Sequence, residues 1–487
     1  MDEFRGLDNL RALGLVLVSL VGVWLVVGHP TRKHLAPWFK PHLRRLSISE
    51  TPSQGKKTST CPAPQTSYTT ALPPQRRDVL ATLPKAAPTY RKVSEEDIQR
   101  HLIPMDIDYR SCNDDRYTPT GFSVAEIKTL GDFPDYAQLS GVPLPQVYDG
   151  FDIEKALPRP YRPFRWSYHQ TMSLTKLEPD WWIELENTYK SRIAQRNALY
   201  AKYGTAVVGY LPGSELACKE LMEMVLQFVC ARYPKYFSLV DNMVFHNRIL
   251  GTEQDVRSRH PLEILIQNIP EDFAIMMRDE KTGFYFLRAG VICSALGWNI
   301  GTKIGLQLHE IHAPIPDYRE KMQFSMDRFF TKMPTEKPIQ RGSWGLEINQ
   351  PLYMPPGDPH EAIRHTQDPN LRLEDCHLRV DWQTLRRLPL SAGVVFNFKA
   401  VFTPVSEFRD EPGIPALLAT ILKQGKRDLM VYKGTWHVEH VVLPWLEKWA
   451  REQVEGGVVD AGWGVATLDE SPWFRGWVEK WRGQQGF

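Results

Sequence analysis

The chain has 487 residues, 42% of them hydrophobic, enough for a large core and for two domains or one large domain with appendages. Lys and Arg number 59 against 57 Asp and Glu, so no global field draws it to nucleic acid or to an acidic partner. Six cysteines (Cys61, Cys112, Cys218, Cys230, Cys293, Cys376) form no CxxC, which argues against a disulfide framework, a zinc ribbon or an iron–sulfur cluster; none sits in the Gly-rich, Arg-flanked loop of a thiolate-ligated heme.

Residues 12–28 (ALGLVLVSLVGVWLVVG) are a charge-free apolar run that reads as a single-pass transmembrane helix. A cleaved signal peptide would need a basic start and a small-residue cleavage site, whereas this run follows Asp2, Glu3 and Asp8 and closes on bulky Trp24 and Val26. Arg32, Lys33, Lys40, Arg44 and Arg45 follow it, so the positive-inside bias expects the body on the cytosolic side of a membrane such as the endoplasmic reticulum. Ten of the 38 prolines fall between Pro30 and Pro88 among Ser, Thr and Lys, the composition of a tether. The expected division is an anchor at 1–30, a linker at 31–105, the functional domain at 106–445 and a Trp-rich extension at 446–487.

Apolar periodicity predicts a helix over 178–200 and a second from Ser214 to just before Pro234. Beyond Pro270 the pattern turns to strands, with DFAIMMRD and GFYFLRAGVICS as a hairpin around a DEKTG turn. A helix is expected over 302–313, ended by Pro314, then strands over 341–348, 377–385 and 393–402, the last alternating Val394, Phe396, Phe398, Ala400 and Phe402. Two strands, a helical crossover and three strands are the order of a PAS-like antiparallel sheet with a helix across one face, hence an α+β fold with surrounding helices. Seven of the 15 tryptophans lie at or beyond Trp436, as an interfacial surface or as a tail packed on the core.

The stretch GLQLHEIHAPIPDY carries His309 and His312, one helical turn apart and able to share a face. HEIH lacks the i, i+4 histidine spacing of a zinc protease. A neutral imidazole at a helix end above an apolar sheet suits an axial position on heme iron, and it equally suits a capping role before a Pro-rich turn. Lys303, Arg379, Arg386 and Arg387 could pair with heme propionates or form a solvated face. Glu271 and Asp272, at a strand start, could hold a cationic amine or supply protons to bound oxygen, or be exposed. No GxGxxG, P-loop, GxSxG or ferredoxin-like cysteine pattern is present, so a reductase would be a separate partner.

Five collinear segments, RPYRPFRWSYHQTMSLTKLEPDWWIELENTY, IPEDFAIMMRDE, GWNIGTKIGLQLHEIHAPIPDY, RGSWGLE and LRVDWQTLRRLP, resemble the heme-dependent oxidative N-demethylase α subunits, also labelled HRQ proteins. The resemblance spans residues 159–404. It implies a PAS-fold heme enzyme that uses reductant and O2 to oxidise a secondary methylamine with release of formaldehyde, and hence the expectation here of a membrane-anchored heme oxidase or monooxygenase acting on an amine or a C–H bond of a small metabolite. It places His312 at the family's histidine, with His309 in reserve, Glu271 in its Glu-Asp pair, and Lys303, Arg379 and Arg386 at basic positions. Trp382 departs from it, standing where the family usually has arginine. The anchor and Trp-rich tail set this chain apart and point to a bulkier, lipophilic substrate. Two other readings follow from the same residues: a heme-PAS gas or redox sensor, and a non-catalytic membrane-tethered scaffold.

Overall fold

Seven antiparallel strands run in the order β1-β8-β9-β10-β6-β7-β2. They are β1 (Thr175–Lys176), β2 (Val208–Tyr210), β6 (Asp272–Arg278), β7 (Tyr285–Val291), β8 (Ile339–Ile348), β9 (Cys376–Arg387) and β10 (Val394–Pro404). A small separate meander is made of β3 (Phe237–Val240), β4 (Val244–Asn247) and β5 (Thr252–Asp255). The computed structural model describes residues 73–74, 101–169 and 171–487. The expected anchor at 12–28 and nearly all of the linker lie outside these residues, and among the described residues no helix is long and apolar enough to cross a membrane.

Alternation within the strands sorts the sheet into two faces. On one, Phe273, Ile275, Val380, Trp382 and Val395 join the main core with α1 (Tyr189–Tyr203), α2 (Glu215–Arg232) and α3 (Pro261–Asn268). Helix α2 is buried almost all round, from Leu216 to Val229, and ends before Pro234, whose ring disfavours helical backbone at the preceding residue. On the other face, Ala274, Met276, Leu287, Leu385, Val394 and Phe398 form a second, smaller core. Above it lie α4 (Ile300–Lys303), α5 (Leu308–Ile311) and α6 (Gln323–Lys332).

The expected strands all form, but two expected helices do not run as read. Over 178–188 a 3-10 turn starting at Pro179 and irregular chain precede α1. The helix expected over 302–313 is broken into α4 and α5 by Gly305 at φ +82°. Gly305 N–H donates to Leu287 O at 2.7 Å and Leu287 N–H to Leu306 O at 3.0 Å, so the segment completes the edge of β7 that the short β2 leaves open. Satisfying that edge outweighs continuing the helix.

After the sheet come α7 (Ile414–Gln424), α8 (Arg427–Lys433) and α9 (Trp436–Glu455), which crosses the division expected at 445, and a last helix follows over Trp477–Gln485. The tail beyond α9 packs on the body: Trp473 stacks on Trp477 at 4.4 Å and meets Tyr161 and Trp181 edge-on, and Trp481 Nε1 donates to Leu157 O at 2.9 Å.

Candidate functional site

A cavity of about 500 Å³ lies between the second core face of the sheet and the segments above it. Its floor is read from the strand register. Phe396 lies between Ala274 and Leu385, Phe398 opposite Gln383, and Gln383 opposite Arg341, and directly paired residues point to the same face. The same parity brings Arg379, Asp381, Ser343, Gly345 and Glu347 to the floor. The roof comes from residues 294–298, α4, α5 and α6, with Trp298, Ile311, Met326 and Phe329 as apolar walls.

His312 caps α5 and borders this cavity. Its Nδ1 lies 2.7 Å from the Leu308 carbonyl, which only accepts, so the neutral ring carries its proton there and keeps its lone pair on Nε2. The ring stacks on Tyr318 with centroids 5.1 Å apart. Burial pushes its pKa down to about 4, so the imidazole is neutral at physiological pH. His309 does not border the cavity. Three residues rotate a helix about 60° short of a full turn, and on the single turn of α5 that offset sends the His309 ring toward Phe284 instead, at 6.0 Å.

Six cations border the cavity (Arg165, Lys303, Arg341, Arg364, Arg379, Lys433) against two carboxylates, Glu347 and Asp381. Arg364 pairs with Glu347 and Arg379 with Asp381, both at 2.9 Å. Arg379 also donates to the carbonyls of Pro351 and Ser294. Lys303 donates to Ile311 O at 2.8 Å, on the residue before His312, and lies 5.4 Å from the Trp298 ring centre. Burial pushes the Glu347 carboxyl up to about 7; its Oε2 makes no hydrogen bond and faces His437 Nε2 at 4.0 Å.

The other expected site residues lie elsewhere. Arg386 occupies the opposite face of β9, its guanidinium 4.0 Å from the Trp182 ring centre, and burial lowers its pKa to about 9. Arg387 returns to the cavity side but is taken up by the Met333, Phe330 and Ala392 carbonyls and Tyr285 Oη, and does not line the cavity. Glu271 and Asp272, being adjacent, point to opposite faces. Glu271 accepts from Glu184 N–H at 3.0 Å and Asn397 Nδ2 at 2.7 Å on the main-core side, so it has no access to the cavity. Asp272 is an internal strut: its carboxylate takes Arg196 Nη1 at 2.5 Å and the amides of Cys293 and Ser294, fixing the loop that forms part of the cavity roof. Trp382 also lies away from the cavity, donating to Gln340 Oε1 at 3.1 Å.

Sequence reasoning missed Arg165, Tyr168, Arg341, Glu347 and Lys433 as cavity residues. The first four stand inside the RPYRPFRWSYHQ and RGSWGLE segments and could have been found there. Lys433, in VYKG, has only the helix-stop glycine beside it as a signal. The family model described as "Haem-dependent oxidative N-demethylase, alpha subunit-like" matches residues 173–443, a span that holds every strand of the seven-stranded sheet and most of the cavity lining, though not Arg165 or Tyr168.

Proposed function

The chain belongs to the Haem-dependent oxidative N-demethylase, alpha subunit-like family, and we propose that it is a heme-dependent oxidoreductase using O2 and external reductant to oxidise a small amine in this cavity. The observation that carries the reading is His312, a neutral imidazole on the cavity wall with Nδ1 held by a carbonyl and Nε2 left as the basic nitrogen. A carbonyl on the far ring nitrogen is the support that orients a metal-ligating histidine.

The rest of the cavity fits heme. Its volume lies within the roughly 300–1,000 Å³ of cofactor sites. Ala274, Met276, Leu287, Phe396 and Phe398 offer an apolar surface to a macrocycle, and the surplus of cations, with the Arg341 Nε buried and unpartnered, suits its carboxylates. Bound heme would supply O2 activation and the oxidising power. The protein's part is to hold His312 through Leu308 and Tyr318, to keep bulk water from the apolar floor, and to hold a proton on Glu347 near neutral pH.

Numbered from β6, the five long strands run 2-1-5-4-3, an order that supports the PAS-like reading of the sheet. The chain shows no nucleotide, flavin or iron–sulfur motif, which supports a separate reductase as electron donor. The single-pass anchor with the body toward the cytosol remains part of the proposal. It rests on the apolar run at 12–28 and the basic residues after it.

The test is an absorption spectrum of the full-length chain, expressed with heme supplied and then reduced under CO. A Soret band that shifts with CO, is lost in His312→Ala and survives in His309→Ala is expected. A flat spectrum would discard the oxidase and the gas sensor together and leave the scaffold. Amine-dependent O2 uptake with formaldehyde release separates oxidase from sensor, and resistance of the protein to alkaline extraction from membranes tests the anchor.

A further inference from the structure

The geometry points to a carboxylate-binding subsite at the β8 end of the cavity, formed by Arg341 and Lys433. Both side chains border the cavity, and among the described residues neither makes an ion pair or a side-chain hydrogen bond. The Arg341 Nε is buried and unpartnered. The Lys433 ammonium lies 5.0 Å from the Trp344 ring centre and 5.7 Å from that of Tyr168, contacts that ease burial of a cation without neutralising it. Among the described residues the carboxylate acting on Lys433 is that of Asp381, which Arg379 already holds.

Two cations brought together inside a protein repel one another and lose hydration, an arrangement that natural structures keep when an anion completes it. Burial and the Arg341 guanidinium together push Lys433 down to about 7. A bound carboxylate would reverse both effects.

The arrangement is built into the backbone. Lys433 is the last residue of α8, which Gly434 ends at φ +64°, and its carbonyl lies against Gly345 of β8. A Cβ at Gly345 would come within 2.7 Å of that oxygen. The second glycine of RGSWGLE therefore lets α8 seat Lys433 at the cavity, while the first residue of the same segment supplies Arg341. Tyr168, from the RWSYHQ segment, closes the group.

A carboxylate could come from the propionate edge of a heme or from an amine substrate that is also an acid. The first source rests on the heme part of the reading above and the second on its amine part, so the two can fail separately. The experiment compares the full-length protein with Lys433→Met and Arg341→Met, using Lys433→Arg to restore the charge.

Fluorescence titration with iron-free protoporphyrin IX and with its dimethyl ester reads the propionate source without iron ligation. Calorimetry with sarcosine and with dimethylamine reads the substrate source. The wild-type chain is expected to prefer the free acid of one of these pairs by about tenfold or more, the worth of a charge-assisted hydrogen bond in a buried site. Either methionine variant should lose that preference and Lys433→Arg should recover it.

Removing an unpaired buried cation should also leave Lys433→Met folded, with an unfolding temperature no lower than wild type, which excludes loss of structure as the cause. Absence of porphyrin binding in both forms would count against the heme reading and leave the sarcosine comparison to decide. Equal affinity for acid and ester, together with sarcosine binding that is absent or unchanged in the variants, would overturn the subsite.

Discussion

Asp272→Asn tests whether the cavity roof is held from inside the sheet. The Asp272 side chain is fully buried, and its two oxygens receive Arg196 Nη1, the Cys293 and Ser294 amides at 2.9 and 2.8 Å, and Ser294 Oγ. Asparagine keeps the shape, removes the charge, and turns one acceptor into a donor aimed at other donors. Arg196, itself buried, would lose its carboxylate partner and keep neutral acceptors, the Glu271 carbonyl at 2.8 Å among them. Leaving one member of a buried ion pair uncompensated costs about 3–5 kcal/mol. For a chain of this size that corresponds to a fall in unfolding temperature on the order of 5 °C. The loop at 293–298 should loosen as well, so porphyrin affinity should fall even at temperatures where the variant stays folded. Differential scanning fluorimetry and a porphyrin titration measure the two effects. An unfolding temperature within about 1 °C of wild type would refute the strut.

Two further substitutions probe the β8 side. In the folded chain the Glu347 carboxyl titrates at about 7 against 4.5 when unfolded, so the native state binds the extra proton between these values. Stability should therefore fall as pH rises from about 4.5 to about 7 and level off above, and Glu347→Gln should remove that part of the slope. At pH 8 the variant should be more stable by up to about 3 kcal/mol, as read from denaturant melts across pH; an unchanged slope would show that Arg364 keeps the acid ionised. Gly345→Ala should cost about 1–3 kcal/mol by overpacking against the Lys433 carbonyl. It should also weaken porphyrin binding along with Lys433→Met, whereas Gly150→Ala, where a Cβ would meet nothing and the backbone is not left-handed, is the control and should change neither.

The strands of the main sheet were legible because β-branched and aromatic residues alternate over long runs, most clearly from Val394 to Phe402. The meander β3–β5 was not: Thr252 to Asp255 is TEQD, polar throughout, and gains its pairing only from the Val244–Asn247 strand beside it. The break at Gly305 was hidden for a related reason, since the competing partner of that backbone is the edge of β7 and not a neighbour in sequence. Among the site residues, His312 was reached through the resemblance carried by IHAPIPDY, since the residues alone left it open between a ligand and a helix cap, and the structure places it on the cavity wall.

The charged residues could not be sorted in this way, because a charge on a strand has no address until the register is known. In β9 a step of one residue separates Arg379, Asp381, Gln383 and Leu385, which face the cavity, from Val380, Trp382, Thr384 and Arg386, which face the main core. Slipping that strand by one position would bring Arg386 and Trp382 into the cavity and bury Arg379 and Asp381 on the other side. The register is held by apolar pairs on both faces, Leu385 with Phe396 on the cavity side and Val380 with Val401 on the core side, and it is these pairings that decide which cations a ligand would meet. The departure at Trp382 consequently falls on the core face, where its indole donates to Gln340, and leaves the chemistry of the cavity to residues of the other parity.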